Sequence, residues 1–261
     1  MALLKLEQQK ELRLFKNATR YTLGGYSIKS LNNKIKISNN KLKSVKFRLY
    51  IKLISLFPQI KLVGLSGSIS MLNAKKDDDI DLFIITAKNR LFTGRFISLL
   101  LAQILGLRRK RDSGKNEKNT IPSSLIKDKI CLNLFFDERE LLIPKIKQTE
   151  FVAHEVLQMK PIVSKYEIYE RFLATNKWVF KIFPNAVSVF SMKYKVSSMW
   201  KKIPNTKYFI LDTFFDKIEL ILKNIELRSI NQHRTTELIT NTQLWFHPDD
   251  FEKKIVKNLK M

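Results

Sequence analysis

Two acidic residues at the start of an apolar run could hold a metal ion. Asp79 and Asp81 lie two residues apart, and Asp81 is the one charged residue of the run Ile80–Thr86. If the run is a strand, both carboxylates point to the same side of it. Their mutual repulsion and lost hydration are relieved by a cation between them. Carboxylate oxygens suit Mg²⁺ or Mn²⁺, which keep water and substrate phosphates as further ligands.

A glycine–serine turn precedes these acids and could bind a phosphate. Ser66, Gly67 and Ser68 follow a short apolar run, and ten residues separate Ser68 from Asp79. Gly67 allows a phosphate to approach the backbone closely. Ser68 offers a hydroxyl and an N–H at the start of a predicted helix, where anions are favoured. A metal on one strand and a phosphate on the preceding turn is the arrangement that metal-assisted nucleotidyl transfer needs.

The order Gly67-Ser68, ten residues, Asp79-Ile80-Asp81 and an apolar strand resembles the signature of the DNA-polymerase-β-like nucleotidyltransferases. The chain also resembles a narrower set of uncharacterised bacterial nucleotidyltransferase-domain proteins. The resemblance implies phosphate binding by Gly67 and Ser68, and metal binding and catalysis by Asp79 and Asp81. It extends over most of the chain, through residues 66–68, 78–82, 89–91, 131–135, 154–159, 171–173, 176–179, 184–185 and 246–248.

A third carboxylate, which active members of the superfamily usually carry on a later strand, is not evident. The candidate strand is residues 129–136, and its site-facing position is Asn133, which is neutral and cannot act as a base. Asp137 and Glu138 follow at the strand end. Glu155, in a predicted helix, is the candidate substitute base. Asn133 and Glu155 therefore join Asp79 and Asp81 as candidate catalytic residues, whereas Asp77 and Asp78 are expected to be solvated loop residues.

Three functions fit these residues. The first is transfer of a nucleoside monophosphate from an NTP, such as ATP, to the hydroxyl of an unknown acceptor, which could be RNA, a small molecule or a protein side chain. The second is a nucleotide- or RNA-binding module of the same fold with weakened catalysis, favoured by Asn133 and by the charge. The third is a toxin-like enzyme that modifies tRNA, which shares the chemistry of the first and differs in its acceptor.

The charge of the chain favours a polyanionic partner without naming one. Lys and Arg number 48 against 24 Asp and Glu, which gives a net charge of +24. Such a chain attracts phosphate-bearing ligands. Lysines spread along the whole sequence are also typical of compositional drift in AT-rich genomes, and both explanations remain open. The densest run of basic residues is 108–111.

The sequence indicates a cytoplasmic protein without stable membrane insertion. Cys131 is the single cysteine, so the chain cannot form an internal disulfide, which favours a reducing compartment. Charged residues appear too early for a secretory signal. The longest apolar run, residues 96–107, is shorter than the ~20 residues that a membrane span needs.

The pattern of apolar residues predicts an α/β fold, a mixed-sheet nucleotidyltransferase domain, followed by an α-helical domain. We expect strands at residues 60–65, 80–86 and 129–136, and a polar loop at 110–124. We expect helices at residues 3–16, 40–57 and 90–107, with Pro58 ending the second. The boundary is predicted near residue 145, which gives a transferase domain with N-terminal helices at 1–145 and a helical domain at 146–261.

Overall fold

The computed structural model describes residues 12–14, 21–23, 28–108, 129–186, 209–232 and 237–246. Its helices are α1 Ile28–Lys43, α2 Val45–Leu56, α3 Gly67–Ser70, α4 Leu91–Ile104, α5 Glu150–Gln158, α6 Ile168–Thr175, α7 Trp178–Ile182 and α8 Phe209–Asn231, with a 3₁₀ turn at Lys145–Lys147. Its strands are β1 Leu12–Leu14, β2 Tyr21–Leu23, β3 Ile60–Leu65, β4 Ile80–Thr86, β5 Ile130–Asp137, β6 Lys160–Ser164, β7 Leu238–Ile239 and β8 Gln243–Trp245. The fold is therefore mixed α/β.

A six-stranded mixed sheet forms the centre of the molecule, with the strand order β6-β3-β4-β5-β8-β7. β4 and β5 are parallel, and the other neighbouring pairs are antiparallel. β1 and β2 form a separate antiparallel pair. β4 lies in the middle of the sheet, and all its residues except Asp81 are buried. A continuous apolar run is what a strand covered on both faces requires.

Helices cover both faces of the sheet. On one face, side chains of β3, β4 and β5 such as Val63, Ile84 and Phe135 pack with α2 and α4. On the other face, Phe83 and Phe136 pack with α5 and α6. Phe83, Phe136 and Phe172 form a cluster whose ring centroids are 5.1–6.0 Å apart. Alternate residues of each strand thus serve two cores, because successive side chains point to opposite faces.

Several predicted elements are confirmed and two require correction. The strands at 60–65 and 80–86 are found as predicted, and the third is Ile130–Asp137. The helix predicted at 40–57 is in fact two helices that break at Ser44, and the second ends at Leu56, before Pro58. The helix predicted at 3–16 is wrong at Leu12–Leu14, which form a strand. The rest of that stretch and the loop predicted at 110–124 lie outside the described residues.

The part of the chain beyond residue 145 contributes both helices and strands. β6 pairs with β3 at one edge of the sheet, and β8 pairs with β5 on the other side. Sequence reasoning expected weak strand character here and missed these strands. The six-stranded sheet therefore contains strands from both sides of the predicted domain boundary near residue 145. The boundary itself stays a prediction. Among the described residues, no helix combines the length and apolar character needed to cross a bilayer.

Helix α8 is fixed to α4 by carboxylates. Glu219 accepts hydrogen bonds from the backbone N–H groups of Phe92 and Thr93, at 2.8 and 2.7 Å, and so caps the start of α4 from a distant part of the chain. Glu226 pairs with Arg95 at 2.5 Å, and both side chains are largely buried. Burial raises the pKa of the Glu226 carboxyl, and the Arg95 charge acts in the opposite direction.

The buried amide of Asn176 fixes the segment that leads from β5 into α5. Its Oδ1 accepts hydrogen bonds from the backbone N–H of Ile143 and the indole N–H of Trp178, at 2.9 and 3.1 Å. Its Nδ2 donates to the carbonyls of Leu141 and Phe172, at 2.8 and 2.9 Å. All four hydrogen-bonding positions of the amide are therefore satisfied inside the protein.

We expect Asn176→Ala to lower the free energy of unfolding by about 2–4 kcal/mol, because it leaves buried backbone groups of Leu141 and Ile143 without their partner. Chemical denaturation followed by circular dichroism measures the change. The control is Lys177→Ala at the exposed neighbouring position, which should change stability by less than ~0.5 kcal/mol. Equal effects of the two changes would contradict this role of Asn176.

Candidate functional site

The two acids and a cysteine lie together at the start of the central strands. Asp79 immediately precedes β4, Asp81 is its second residue, and both are half-buried. Asp81 pairs in register with Cys131 on the parallel strand β5, so the two side chains point to the same side of the sheet. Potential ligand atoms of Asp79, Asp81 and Cys131 all lie within 4.8 Å of one another.

The glycine–serine turn lies directly against Asp81. The backbone N–H of Ser66 donates a hydrogen bond to the Asp81 carbonyl at 3.0 Å. Gly67 has a φ of +62°, and a Cβ at this position would overlap the Asp81 carboxylate oxygen Oδ2. Gly67 is therefore required twice, once by its backbone conformation and once by the side chain that passes above it.

The donor set around the turn fits a divalent cation. It combines two carboxylates and a thiol, all ligand types that divalent metals accept in proteins. The Asp81 carboxylate fills the space that a side chain at Gly67 would occupy, so the turn holds this carboxylate in place. Asp79, Asp81 and Cys131 could together hold a divalent ion.

Asp78 positions the turn, and the expectation that it is only a solvated loop residue is wrong. Its Oδ2 accepts hydrogen bonds from the Ser68 hydroxyl at 2.8 Å and from the backbone N–H of Lys75 at 2.9 Å. Its carbonyl accepts one from the Nζ of Lys41, at 2.6 Å, and Lys41 is buried. Sequence reasoning missed both roles, because one depends on how the loop folds back onto the Ser68 turn and the other on a contact with α1. Asp77 is exposed, as expected.

Asn133 and Glu155 face the same cleft as Asp81 and Ser66. The register between β4 and β5 shifts after Leu82, so that Asn133 is an extra residue in β5 without a partner residue in β4. Glu155 is half-buried and reaches the cleft from α5. The remaining lining is mostly aliphatic and aromatic. The structure thus brings together the candidate catalytic residues on two strands, a turn and a helix.

Asp137 and Glu138 lie at the other end of β5. Asp137 pairs in register with Thr86, at the far end of β4. It follows Cys131 by six residues along β5, which places the two residues about 20 Å apart. Asp137 accepts hydrogen bonds from the backbone N–H of Asn89 and from Arg139. Glu138 accepts one from the backbone N–H of Lys88. Both acids stabilise the turn before α4 and are not part of the site.

Cys131 is the potential ligand of the site that sequence reasoning missed. From the sequence alone, the single cysteine indicates only a reducing compartment. Its placement beside Asp81 depends on the parallel register of β4 and β5, which no local pattern reveals. The sequence contains one indication that Cys131 belongs to the site. Cys131 lies two residues before Asn133 on the same predicted strand, and residues at that spacing share a face of a regular strand.

Comparisons with known proteins leave the function to be argued from this site. No family model matches the sequence, and no curated protein matches it. A solved structure of a toxin–antitoxin with AMP-PNP aligns with 56% of this chain and 92% of that chain, at 18% sequence identity and a TM-score of 0.27. A similarity of this size carries no argument about fold or activity.

We expect Gly67→Ala to destabilise the protein more than Gly106→Ala does. Both glycines have a positive φ, of +62° and +65°, so both changes introduce a similar backbone cost of about 1–2 kcal/mol. A Cβ at Gly106 meets nothing within 4 Å, whereas one at Gly67 overlaps Asp81. The difference between the two unfolding free energies, measured by denaturant titration, therefore reports the contact with Asp81. Equal losses would contradict the close approach of Gly67 and Asp81.

Proposed function

We propose that the protein is a metal-dependent nucleotidyltransferase that transfers a nucleoside monophosphate from an NTP, such as ATP, to an acceptor hydroxyl. The observation that carries this proposal is the approach of the Gly67 turn to the paired acids Asp79 and Asp81. Carboxylates that can hold an ion, next to a backbone turn that can receive a phosphate, are the two parts that such a transfer requires.

Asp79 and Asp81 would hold Mg²⁺ or Mn²⁺ at the start of β4. The ion would neutralise charge on the triphosphate and stabilise the attacking and leaving oxygens. The Asp81 carboxylate already occupies the space beside Gly67, so a phosphate would contact the backbone of the turn next to this carboxylate, and the ion would offset the repulsion between the two anions. The Ser68 hydroxyl donates to Asp78 in this structure, so it must rotate away from that carboxylate in order to donate to a phosphate oxygen.

The acceptor would lie at the cleft between the sheet and α5, which, with a free volume of about 30 Å³, could receive little more than its hydroxyl. Glu155 is the residue on this side that can accept the proton of an acceptor hydroxyl, whereas the Asn133 amide can only orient groups by hydrogen bonding. We assign residues 1–145 to the nucleotidyltransferase domain and residues 146–261 to the part that shapes the acceptor side. The single cysteine favours a cytoplasmic location for this activity.

We expect Asp81→Asn to abolish label transfer from α-labelled NTPs, because the change removes one of the two carboxylates that hold the ion. Loss of an outer-sphere partner alone typically costs 10–100-fold, and loss of a ligand should cost no less than about 100-fold. The assay contains the full chain, each NTP in turn, Mg²⁺ or Mn²⁺, and a cell extract as the source of acceptor.

Asp77→Asn is the matched control, since Asp77 is an exposed acid of the same loop outside the site. This variant should keep wild-type transfer. Equal transfer by wild type and Asp81→Asn would exclude Asp81 from the reaction. Absence of transfer by the wild type with every NTP would reject the enzyme and favour the binding module described below.

We expect Glu155→Gln to lower the rate of transfer by about 10²–10⁴-fold, the usual range for loss of a general base. The affinity for nucleotide should stay unchanged, because Glu155 approaches from the acceptor side. Single-turnover kinetics and equilibrium nucleotide binding separate the two effects. Glu150→Gln, in the exposed first turn of the same helix, is the control. A loss of nucleotide affinity without a loss of rate would contradict the role as base.

A second candidate function is RNA binding without catalysis. It is favoured by the neutral Asn133 and by the absence of any Asp or Glu between Ile28 and Lys76, a segment that includes exposed cations such as Lys36, Lys46 and Lys52. Such a surface binds phosphates with an affinity that falls steeply with salt. Filter binding of RNA that is metal-independent, salt-sensitive and equal in wild type and Asp81→Asn, without label transfer, would support this function over the enzyme.

A further inference from the structure

Cys131 occupies a place where a third ligand would be expected. Its Sγ lies within 4.8 Å of one carboxylate oxygen of Asp79 and one of Asp81. Its side chain is 5% exposed, whereas both carboxylates are half-buried. The sulfur is therefore the most deeply buried of the three potential donors.

A sulfur donor changes the choice of metal. Mg²⁺ is a hard ion that takes oxygen ligands in proteins. First-row transition ions such as Co²⁺ and Zn²⁺ accept thiolate together with carboxylate, and their affinities generally exceed that of Mn²⁺. A site with two carboxylates and one thiolate is thus biased towards these ions.

A purely structural role would make Cys131 a small apolar side chain of the core. Its position argues for more than that, because its in-register neighbour on β4 is Asp81 and not an apolar residue. Gly67 adds a further constraint, because the Asp81 carboxylate lies so close to it that a Cβ would overlap Oδ2, and the turn therefore fixes this carboxylate beside the cysteine. A buried sulfur and two carboxylates, one of them fixed against the turn, together describe a ligand set.

We propose that Cys131 is the third protein ligand of the ion and that it selects a divalent transition metal over Mg²⁺. This inference rests on the proposed function for the position of the ion. On binding, the S–H bond of Cys131 breaks, a bond forms between Sγ and the metal, and the proton passes to solvent. No oxidation or reduction takes place.

Cobalt absorption on the full chain tests the ligand directly. The chain contains one cysteine, so a thiolate-to-Co²⁺ charge-transfer band in the near ultraviolet can arise only from Cys131. We expect the band to saturate at one equivalent of Co²⁺ in the wild type and to be absent in Cys131→Ser. Competition with Zn²⁺ should remove it at low concentration, whereas Mg²⁺ should need at least about tenfold more.

A variant that restores a hard ligand provides the matched comparison. Cys131→Asp should reverse the preference and raise the affinity for Mg²⁺ relative to Co²⁺, as measured by competition against Mn²⁺ with electron paramagnetic resonance. Thermal unfolding of Cys131→Ser and Cys131→Asp checks that each variant is folded. The band in the wild type needs no variant and decides the matter even if both substitutions prevent folding.

The outcomes separate this inference from the proposed function. Saturable Co²⁺ binding that depends on Asp81 but shows no charge-transfer band would overturn the role of Cys131 and make it a structural cysteine only, while label transfer could still be found. A band that depends on Cys131 in a protein that transfers no label would reject the proposed function and keep the metal ligand.

Discussion

The contact between Gly67 and Asp81 is the constraint on which the site depends. The carboxylate of Asp81 passes over the backbone of the turn so closely that no side chain fits beneath it. A hydrogen bond from Ser66 to the carbonyl of the same aspartate holds the two segments together. Because the turn follows β3 and Asp81 is the second residue of β4, pairing of these two strands sets the separation between the Gly67 turn and the acids.

The two faces of the sheet differ in the side chains that they present. On the face covered by α2 and α4, the strands contribute a mainly apolar core, with the buried Thr86 packed against Gly94 of α4. On the other face the apolar core itself lines most of the cleft. Its lining is completed by four polar residues, Ser66, Asp81, Asn133 and Glu155. Helix α5 closes this face and carries Glu155 to the opening. The hydrogen bonds of Asn176 fix the approach to α5 and so connect a structural amide to the geometry of the site.

Local pattern in the sequence was sufficient to predict the central strands β3, β4 and β5. The apolar run that forms β4 contains one aspartate, Asp81, and this is the one side chain of the strand that is not buried. The strand β6 was missed because it carries Pro161 and is only partly buried at the sheet edge, so its identity depends on pairing with β3. The roles of Asp78, Lys41 and Cys131 depend on contacts between distant segments, which local periodicity does not encode. The extra residue at Asn133 was hidden for the same reason, since a bulge is defined by the partner strand.

The parallel pairing of β4 with β5 has a consequence for how the protein acquires its site. Parallel neighbours need a long crossover connection, and here it contains α4 and roughly fifty residues between Asp81 and Cys131. Contacts of such sequence separation form late and slowly, because loop closure must precede them. A nascent chain would therefore expose its acids well before the cysteine joins them, and an ion that requires all three groups would bind only to molecules that have completed the sheet.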